Sequence, residues 1–379
     1  MKIVLATGIY PPDIGGPATY SHQLASELQK RGEDVTVITY GEVDIEQRKV
    51  IDNENWIVEC VPRFGGPITR WLRYAAVLKK CANDADFVIA FSSVSCGVPL
   101  KLARLKKPKK ILRLGGDFFW ERYTDNGGEC GLRIWYDKKF KSLKYFLIRA
   151  FYKSVLKAFN HIIFSTRFQE EIYENNFKYL PSHSVIENAL PSGALELHKK
   201  HDPFRILFMG RLVGFKNLPE LLAAASILRA SGRDIELLFV GDGPMKKELQ
   251  CVSIEQNVED ITEFKFPVHG EDKKKTFVEA DLLVIPSITE ISPNVALEAR
   301  AAGLPVLLSK ETGLSDSLTE GMVISDLIYA ETISHEIEKI IDNYDQIASD
   351  SSKDTSDRGW DRVAEDWLKL CSKEYNSTL

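Results

Sequence analysis

Short runs of apolar and β-branched residues alternate with amphipathic helical stretches along the chain. Strands joined by helices form parallel sheets, because each connection has to run back across the sheet before the next strand begins. The predicted strands fall into two series. The first contains KIVLAT, DVTVITY, WIVECV, DFVIAFS, KILRLG, HIIFST and HSVIEN, and the second contains RILFMG, IELLFVG, FKFPVH, LLVIPS and PVLLSK. The sequence therefore predicts two doubly wound α/β domains.

The segment ALPSGALELHKKHDPF, residues 189–204, separates the two series and is rich in small, polar and turn-forming residues. We interpret it as the interdomain linker. A chain of 379 residues also exceeds what one typical core supports. We expect one domain at residues 1–195 and another at 196–355, with the carboxyl ends of their strands facing each other across a ligand-binding cleft.

Composition excludes several classes of protein. A net charge of -5 argues against general nucleic-acid binding. The six cysteines show no CxxC spacing, which favours reduced thiols in a cytoplasmic protein and gives no metal site. The N-terminal stretch is predicted to be a strand rather than a signal peptide or anchor. No apolar run approaches the roughly 20 residues that a membrane span needs.

The stretch PSITEISPNVALEAR, residues 286–300, leaves a predicted strand and opens a helix. Ser292 is a good N-cap, and Pro293 suits the first helical position. The N–H groups of Asn294 and Val295 would then lie at the positive end of the helix, where an anion such as a diphosphate binds.

Two acids flank this predicted helix start. Glu290 precedes it and Glu298 lies inside the helix, and carboxylates are strong acceptors for paired sugar hydroxyls. The alternative is an acid that complements the helix dipole and a second acid on the surface. Taken alone, the spacing favours that alternative.

The stretch GRLVGFKNLPE follows the first strand of the second series. It places Arg211 at the end of the strand and Lys216 before a predicted capping box of Asn217 and Glu220. A lysine beside the positive end of a helix is unfavourable unless an anion binds there, and arginine presents a planar fork to phosphate oxygens. We favour an anion site over two solvated surface cations.

Two turns in the first domain carry weaker signals. Gly15 and Gly16 allow either close approach of a ligand or a tight turn, and no GxGxxG motif follows the first strand, which argues against a dinucleotide-dependent dehydrogenase. In LRLGGDFFWERYTDNGGE, Asp117 and Trp120 suit a sugar whose apolar face stacks on an aromatic ring. Burial of Trp120 in the core is equally compatible with the pattern.

Together these motifs resemble those of retaining glycosyltransferases of family 4, which have the GT-B fold. The resemblance covers nearly the whole chain. It rests on the glycine pair at 15–16, GRLxxxK at 210–216, GDGP at 241–244, the two glutamates at 290 and 298 with the run that follows, and WDRVAEDWLKLC near the end. It implies two Rossmann-like domains, acceptor-side then donor-side, and a C-terminal helix at 356–379 that packs back on the first domain.

The resemblance also implies roles for individual residues. Arg211 and Lys216 would hold the donor diphosphate, Glu290 would bind the transferred sugar and Glu298 the ribose. The phosphate loop would consist of Ser292, Pro293, Asn294 and Val295, with Gly15, Gly16 and Gly241 as further substrate-binding positions. Many members carry a histidine near the transferred sugar, whereas this chain has RLGGDFFW there, so Asp117 is the nearest polar candidate.

The implied activity is transfer of a sugar from a nucleotide diphosphate donor to a glycan or lipid-linked acceptor, with retention of configuration, in the synthesis of cell-surface polysaccharide or glycoconjugates. Neither cofactor nor metal is expected. The D-x-D pair, Asp84 and Asp86, precedes its strand and so lies at the wrong end of the sheet. Arg211, Lys216 and the helix terminus would stabilise charge that develops on the leaving diphosphate.

Two other functions remain open at this stage. A nucleotide-sugar epimerase of the same architecture would need further acid–base residues, which the sequence does not identify. A sugar-binding protein without chemistry would have no use for Arg211 and Lys216.

A basic segment at residues 135–160 interleaves lysines with aromatic residues at helical spacing. It fits either a helix that rests on the anionic inner face of a membrane or a domain helix with a solvated lysine face. The second interpretation is favoured.

Overall fold

The computed structural model describes residues 1–13, 15–41, 56–190, 198–352 and 358–376. The strands in these ranges are β1 Lys2–Ala6, β2 Asp34–Gly41, β3 Ile57–Pro62, β4 Phe87–Ala90, β5 Lys109–Leu114, β6 His161–Phe164, β7 Ser182–Val185, β8 Phe204–Met209, β9 Ile235–Val240, β10 Thr262–Lys265, β11 Leu282–Ile285, β12 Val306–Ser309 and β13 Val323–Ser325.

The α-helices in the same ranges are α1 Gly16–Lys30, α2 Pro67–Cys81, α3 Gly97–Ala103, α4 Phe118–Thr124, α5 Leu132–Ile134, α6 Phe146–Leu156, α7 Arg167–Asn176, α8 Leu218–Ala230, α9 Lys246–Glu255, α10 Gly270–Val278, α11 Asn294–Ala301, α12 Asp316–Thr319, α13 Ala330–Asp342, α14 Tyr344–Ser351 and α15 Trp360–Asn376. A π-helical turn spans Trp135–Lys139, and 3-10 turns span Leu143–Tyr145, Gly214–Lys216 and Glu259–Ile261. Among the described residues, no helix is both long and apolar enough to span a bilayer.

Contacts within the chain divide it into two compact units. Unit 1 contains residues 1–118, 136–189 and 360–379, and unit 2 contains residues 119–135 and 190–359. The predicted domain boundaries at 195/196 and 355/356 lie outside the described residues. The sequence analysis did not anticipate that residues 119–135, which follow β5 of unit 1, would pack with unit 2.

Unit 1 is built on a parallel seven-stranded sheet with the order β3-β2-β1-β4-β5-β6-β7. The order reverses between β1 and β4, so right-handed crossovers place α1 on one face of the sheet and α2 on the other. Helix α2 packs against α3, and α3 packs against α6. Helix α15 packs against α1, with Trp367 fully buried and its Nε1–H donating to the Tyr20 hydroxyl at 2.9 Å.

Unit 2 contains a parallel six-stranded sheet with the order β10-β9-β8-β11-β12-β13. Strands β11 and β12 are buried at every residue, as expected where helices cover both faces of a sheet. The strand order reverses between β8 and β11. Ligands of such sheets bind beyond the carboxyl ends of the strands at this reversal, and the turns that follow β8 and β11 carry Arg211, Lys216 and Glu290.

Three elements differ from the predictions. Strand β13 was not predicted, because a three-residue strand gives little periodic signal. Strand β10 ends at Lys265, before Pro267, which cannot donate a backbone hydrogen bond within a sheet. The segment 135–160 is not one helix but a π-helical turn, a 3-10 turn and α6 in succession.

Candidate functional site

The turn after β8 depends on close packing of backbones. A Cβ atom on Gly241, at the end of β9, would lie 1.9 Å from the carbonyl oxygen of Gly210. Gly210 itself has a φ of 154°, a backbone conformation that residues other than glycine rarely adopt. Gly241 therefore has a packing reason to be glycine that requires no ligand, although the sequence placed it among the substrate-binding residues.

The predicted capping box at the start of α8 is wrong. Asn217 has a left-handed φ of 57° and makes no side-chain cap. Its amide donates instead to the carbonyl oxygens of Leu327 and Ile328, at 3.1 and 3.0 Å. The Glu220 carboxylate accepts the N–H of Ala330 at 2.8 Å, so both side chains join α8 to the start of α13.

Lys216 and Glu290 form an ion pair between the turns after β8 and β11. Both side chains are largely buried, at 13% and 7% exposure. The Ser287 hydroxyl donates to the same Glu290 oxygen at 2.6 Å. The backbone repeats this link, because the N–H of Ile288 donates to the carbonyl oxygen of Phe215 at 2.8 Å. The two turns at the reversal of strand order are therefore held as one structure.

The ion pair gives Lys216 a partner within the protein itself. The sequence suggested that a lysine at this position requires a bound anion, but the carboxylate of Glu290 supplies the negative charge. The loop after β12 also contacts the backbone of Glu290. The N–H of Glu290 donates to the carbonyl oxygen of Glu311 at 2.9 Å, and the carbonyl oxygen of Glu290 accepts the N–H of Gly313 at 2.8 Å.

Arg211 is the more accessible of the two predicted cations. Its side chain is 57% exposed and donates to the carboxylate of Glu121 at 2.9 Å. Glu121 belongs to the segment 119–135, which packs on unit 2. Glu121 lies within the stretch LRLGGDFFWERYTDNGGE, for which the sequence analysis identified no ion-pair partner.

Other contacts of the segment 119–135 fall on the same two turns. Trp120 is 1% exposed, and its ring centroid lies 5.2 Å from that of Phe215. The N–H of Leu132 donates to the hydroxyl of Thr289 at 3.0 Å. Of the two interpretations of Trp120, the structure supports burial rather than an open stacking surface.

Helix α11 begins at Asn294 with Pro293 as its cap, one residue later than predicted. The N–H of Ala296 donates to the carbonyl oxygen of Pro293 at 3.1 Å, so Asn294 and Val295 form the first turn of the helix, at the positive end of its dipole. Glu298, one turn later, forms an ion pair with Lys273 of α10.

Asp117 lies in unit 1 and is 1% exposed. Its carboxylate accepts hydrogen bonds from the hydroxyls of Tyr136 and Tyr173, at 2.6 and 2.7 Å. Burial raises the pKa of both tyrosines well above the ordinary value, so both hydroxyls remain protonated donors. These surroundings favour a structural role for Asp117 over the predicted contact with a transferred sugar.

The glycine pair also lies in unit 1. Gly15 caps α1 with φ of 152°, and a Cβ atom there would lie 2.7 Å from Cδ1 of Ile9. Gly16 is the first residue of the helix. The close-turn interpretation therefore has a direct structural basis at Gly15.

No group of three or more histidine, cysteine, aspartate or glutamate side chains within the described ranges is arranged to hold a metal ion. The D-x-D pair binds the start of β1: Asp84 forms an ion pair with Lys2 at 2.8 Å, and Asp86 accepts the N–H of Lys2 at 2.8 Å. This contact is at the amino end of the strands, where the sequence analysis placed it.

Each half of the chain matches a known family. The profile described as "Glycosyl transferases group 1" matches residues 196–358, and that of "Glycosyltransferase Family 4" matches residues 14–191. An uncharacterized glycosyltransferase of Methanocaldococcus jannaschii is 25% identical over 393 residues, which cover 98% of this chain and 97% of that protein. The chain is a GT4-type glycosyltransferase.

Solved structures agree on the fold of this glycosyltransferase. Sucrose-phosphate synthase from Thermosynechococcus elongatus has a TM-score of 0.78 at 17% identity, with 99% of each chain covered. The Anabaena protein HepE, in complex with UDP-glucose, has a TM-score of 0.75 at 14% identity, with 98% of this chain and 100% of that chain covered. The predicted two-domain, Rossmann-like GT-B fold is confirmed.

We predict that Lys216→Met lowers the free energy of unfolding of the glycosyltransferase by about 3 kcal/mol, because it leaves the buried carboxylate of Glu290 without its cation. The double variant Lys216→Met/Glu290→Gln recovers most of this loss, since the remaining side chain carries no charge. Urea unfolding followed by circular dichroism measures both.

The matched control is Arg229→Met, which breaks an ion pair with Asp260 whose side chains are 46% and 56% exposed. Its cost is small, because water already screens the charges of an exposed ion pair. If Lys216→Met costs no more than Arg229→Met, the buried pair does not hold the turns together.

Proposed function

We propose that this glycosyltransferase transfers a sugar from a nucleotide diphosphate donor to a glycan or lipid-linked acceptor, with retention of configuration. The donor diphosphate binds in unit 2 at the turns after β8 and β11. The observation that carries the proposal is that Arg211, Lys216 and the first turn of α11 all follow β8 or β11, the two strands at which the order of this sheet reverses.

The chemistry explains why cations belong at this point. Transfer breaks the bond between the anomeric carbon and a phosphate oxygen, and the electron pair stays on the diphosphate. Donors aimed at that developing charge lower the barrier. Arg211 presents a planar fork, Lys216 a point charge and α11 its first N–H groups. This positive charge makes a metal ion unnecessary in the proposed mechanism.

Arg211 exchanges partners in this proposal. In the structure its guanidinium bonds to the carboxylate of Glu121. A diphosphate carries more negative charge than one carboxylate and presents several oxygens to the same fork. Because the Arg211–Glu121 pair is largely exposed, breaking it costs about 1 kcal/mol or less.

Glu290 and Glu298 have separate roles in this proposal. We infer that Glu290 accepts hydrogen bonds from hydroxyls of the transferred sugar and that Glu298 does so from the ribose of the nucleotide. Support comes from the family resemblance and from the HepE complex, which holds UDP-glucose. Both carboxylates are paired with lysines in this structure, Glu290 with Lys216 and Glu298 with Lys273.

The proposed place of the reaction is the cytoplasm, at or near the inner face of the membrane, in the synthesis of cell-surface polysaccharide or glycoconjugates. All six cysteines are free thiols, which suits a reducing compartment.

We predict that Arg211→Ala weakens the binding of the matching nucleoside diphosphate tenfold or more, because a charge-assisted hydrogen bond contributes about 1.5–3 kcal/mol. Isothermal titration with UDP and GDP measures the affinity. Arg229→Ala, at another exposed ion pair of unit 2, serves as the control and leaves the affinity unchanged. Equal affinities for the wild type and Arg211→Ala would place the diphosphate elsewhere.

We predict opposite effects for the two glutamates. Glu290→Gln lowers the rate of donor hydrolysis by at least about tenfold while largely sparing nucleotide affinity, since one sugar contact is lost at the reacting end. Glu298→Gln weakens nucleotide affinity instead. Slow hydrolysis of nucleotide-sugars, which needs no acceptor, gives the rate, and titration gives the affinity. Indistinguishable effects of the two variants would contradict the assigned roles.

We predict that Glu121→Gln binds the nucleoside diphosphate about fivefold more tightly, because Arg211 then has no carboxylate partner to lose on binding. Breaking the Arg211–Glu121 pair costs about 1 kcal/mol, which corresponds to this factor. Glu129→Gln removes an exposed acid from the same segment and leaves the affinity unchanged. Titration of both variants is the measurement. A weaker or unchanged affinity in Glu121→Gln would show that Glu121 does not compete with the ligand.

A further inference from the structure

A cluster of exposed apolar side chains lies at the start of α6 in unit 1. Leu143 is 89% exposed, Leu147 is 78%, Phe146 is 53% and Phe151 is 41%. Single exposed leucines are common on protein surfaces, but a contiguous apolar cluster indicates an interaction. We call these four side chains the apolar cluster.

The break in the predicted helix explains the cluster. Trp135, Tyr136 and Phe140 lie in the interior, where each is at most 1% exposed. Leu147 and Phe151 are four residues apart in α6 and so share one stripe of its surface, and exposed Leu143 lies in the 3-10 turn just before the helix. The inward face is filled by other residues of α6, so the stripe is surplus to the core of unit 1.

Cations surround the apolar cluster. Residues 138–159 contain seven lysines and arginines and no acid, although the whole chain has a net charge of -5. Lys138, Lys139, Lys141 and Lys144 are all exposed. Positive charge is therefore concentrated in this segment of a chain that is acidic overall, although Lys141 pairs with exposed Asp137 just before it.

A groove of about 530 Å³ lies on the same helix as three of the four residues of the apolar cluster. It lies beside α6 and is lined by Lys101, Lys153 and Lys157 together with Ala150, Ser154 and Ala158. Lys101 belongs to α3, which packs against α6, and its ammonium donates to the hydroxyl of Ser154. Three lysines in one groove provide a site for an anionic group such as a phosphate.

Helix α2 extends the same pattern. It packs against α3 in the same helix layer, with Ile68 and Leu72 exposed by 69% and 56%. Arg70 and Arg73 lie beside them on the helix, and the guanidinium of Arg73 stacks 3.9 Å from the ring centroid of exposed Phe64. Exposed apolar and cationic side chains thus recur across the layer formed by α2, α3 and α6.

We propose that this helix layer docks on a lipid bilayer that contains anionic lipids. The apolar cluster enters the boundary between headgroups and acyl chains, the surrounding lysines contact headgroup phosphates, and the lysine groove receives one of them. Charge complementarity identifies the partner, because a basic layer with exposed apolar side chains is attracted to an anionic surface that it can also enter. Nucleic acid would gain nothing from the exposed leucines. The inference deepens the proposed location at the inner face of the membrane, on which it rests, but does not depend on the proposed sugar transfer.

The test is sedimentation of the full chain with sucrose-loaded vesicles of phosphatidylcholine, with and without 30% phosphatidylglycerol. The protein is expected to bind the anionic vesicles, and binding falls as salt rises because the lysine contacts are screened. Leu143→Asn/Leu147→Asn lowers the partition coefficient about tenfold or more, and Lys141→Glu/Lys144→Glu does the same.

The matched control is Ile254→Asn/Val278→Asn, which changes two apolar side chains of unit 2 that are 61% and 52% exposed. It binds vesicles as the wild type does. Equal binding to neutral and anionic vesicles, or no loss in Leu143→Asn/Leu147→Asn, would overturn the proposal. The proposal would also be overturned if the wild type did not bind vesicles and Leu143→Asn/Leu147→Asn changed the oligomeric state, because the cluster would then be a contact between copies of the chain. Donor hydrolysis without vesicles tests the proposed function separately, so the two failures are distinguishable.

Discussion

The ion pair between Lys216 and Glu290 connects the two turns on which the candidate site depends. These turns follow β8 and β11, the strands at which the order of the second sheet reverses. Because both charges are largely withdrawn from water, neither is stable there without the other. The Ser287 hydroxyl and the Ile288–Phe215 backbone bond add to the same connection. The ion pair and these two hydrogen bonds together hold the turns that carry Arg211 and lead into α11.

The charged groups of the site form neutral pairs in this structure. Arg211 is bonded to Glu121, Lys216 to Glu290 and Lys273 to Glu298. Because each cation is next to a carboxylate, the cations repel one another less than they would alone. A ligand anion therefore binds by replacing a carboxylate as the partner of a cation. The pairs differ in accessibility. The Arg211 side chain is 57% exposed and that of Lys216 is 13%, so an anion meets the arginine first.

The fold was predictable because strands covered on both faces appear in the sequence as continuous apolar runs, as LLVI at β11 does. Local signals were less reliable where distant residues compete. Asn217 and Glu220 fit a capping box, but their partners in the structure are Leu327, Ile328 and Ala330. No sequence pattern pairs Glu121 with Arg211, which lies 90 residues away. Residue types at strand ends thus indicate the place of a site, while the pairing of its charges follows from tertiary packing.

The segment 119–135 also bears on how the chain is divided. It leaves the sheet of unit 1 after β5, packs with unit 2 and returns before α6. A fragment cut at residue 190 would separate Trp120 from Phe215, so the N-terminal piece would carry an uncovered indole ring and the C-terminal piece would lose its cover over the turn after β8. Although two sheets can be drawn, the polypeptide has no single cleavage point that yields two intact folding units.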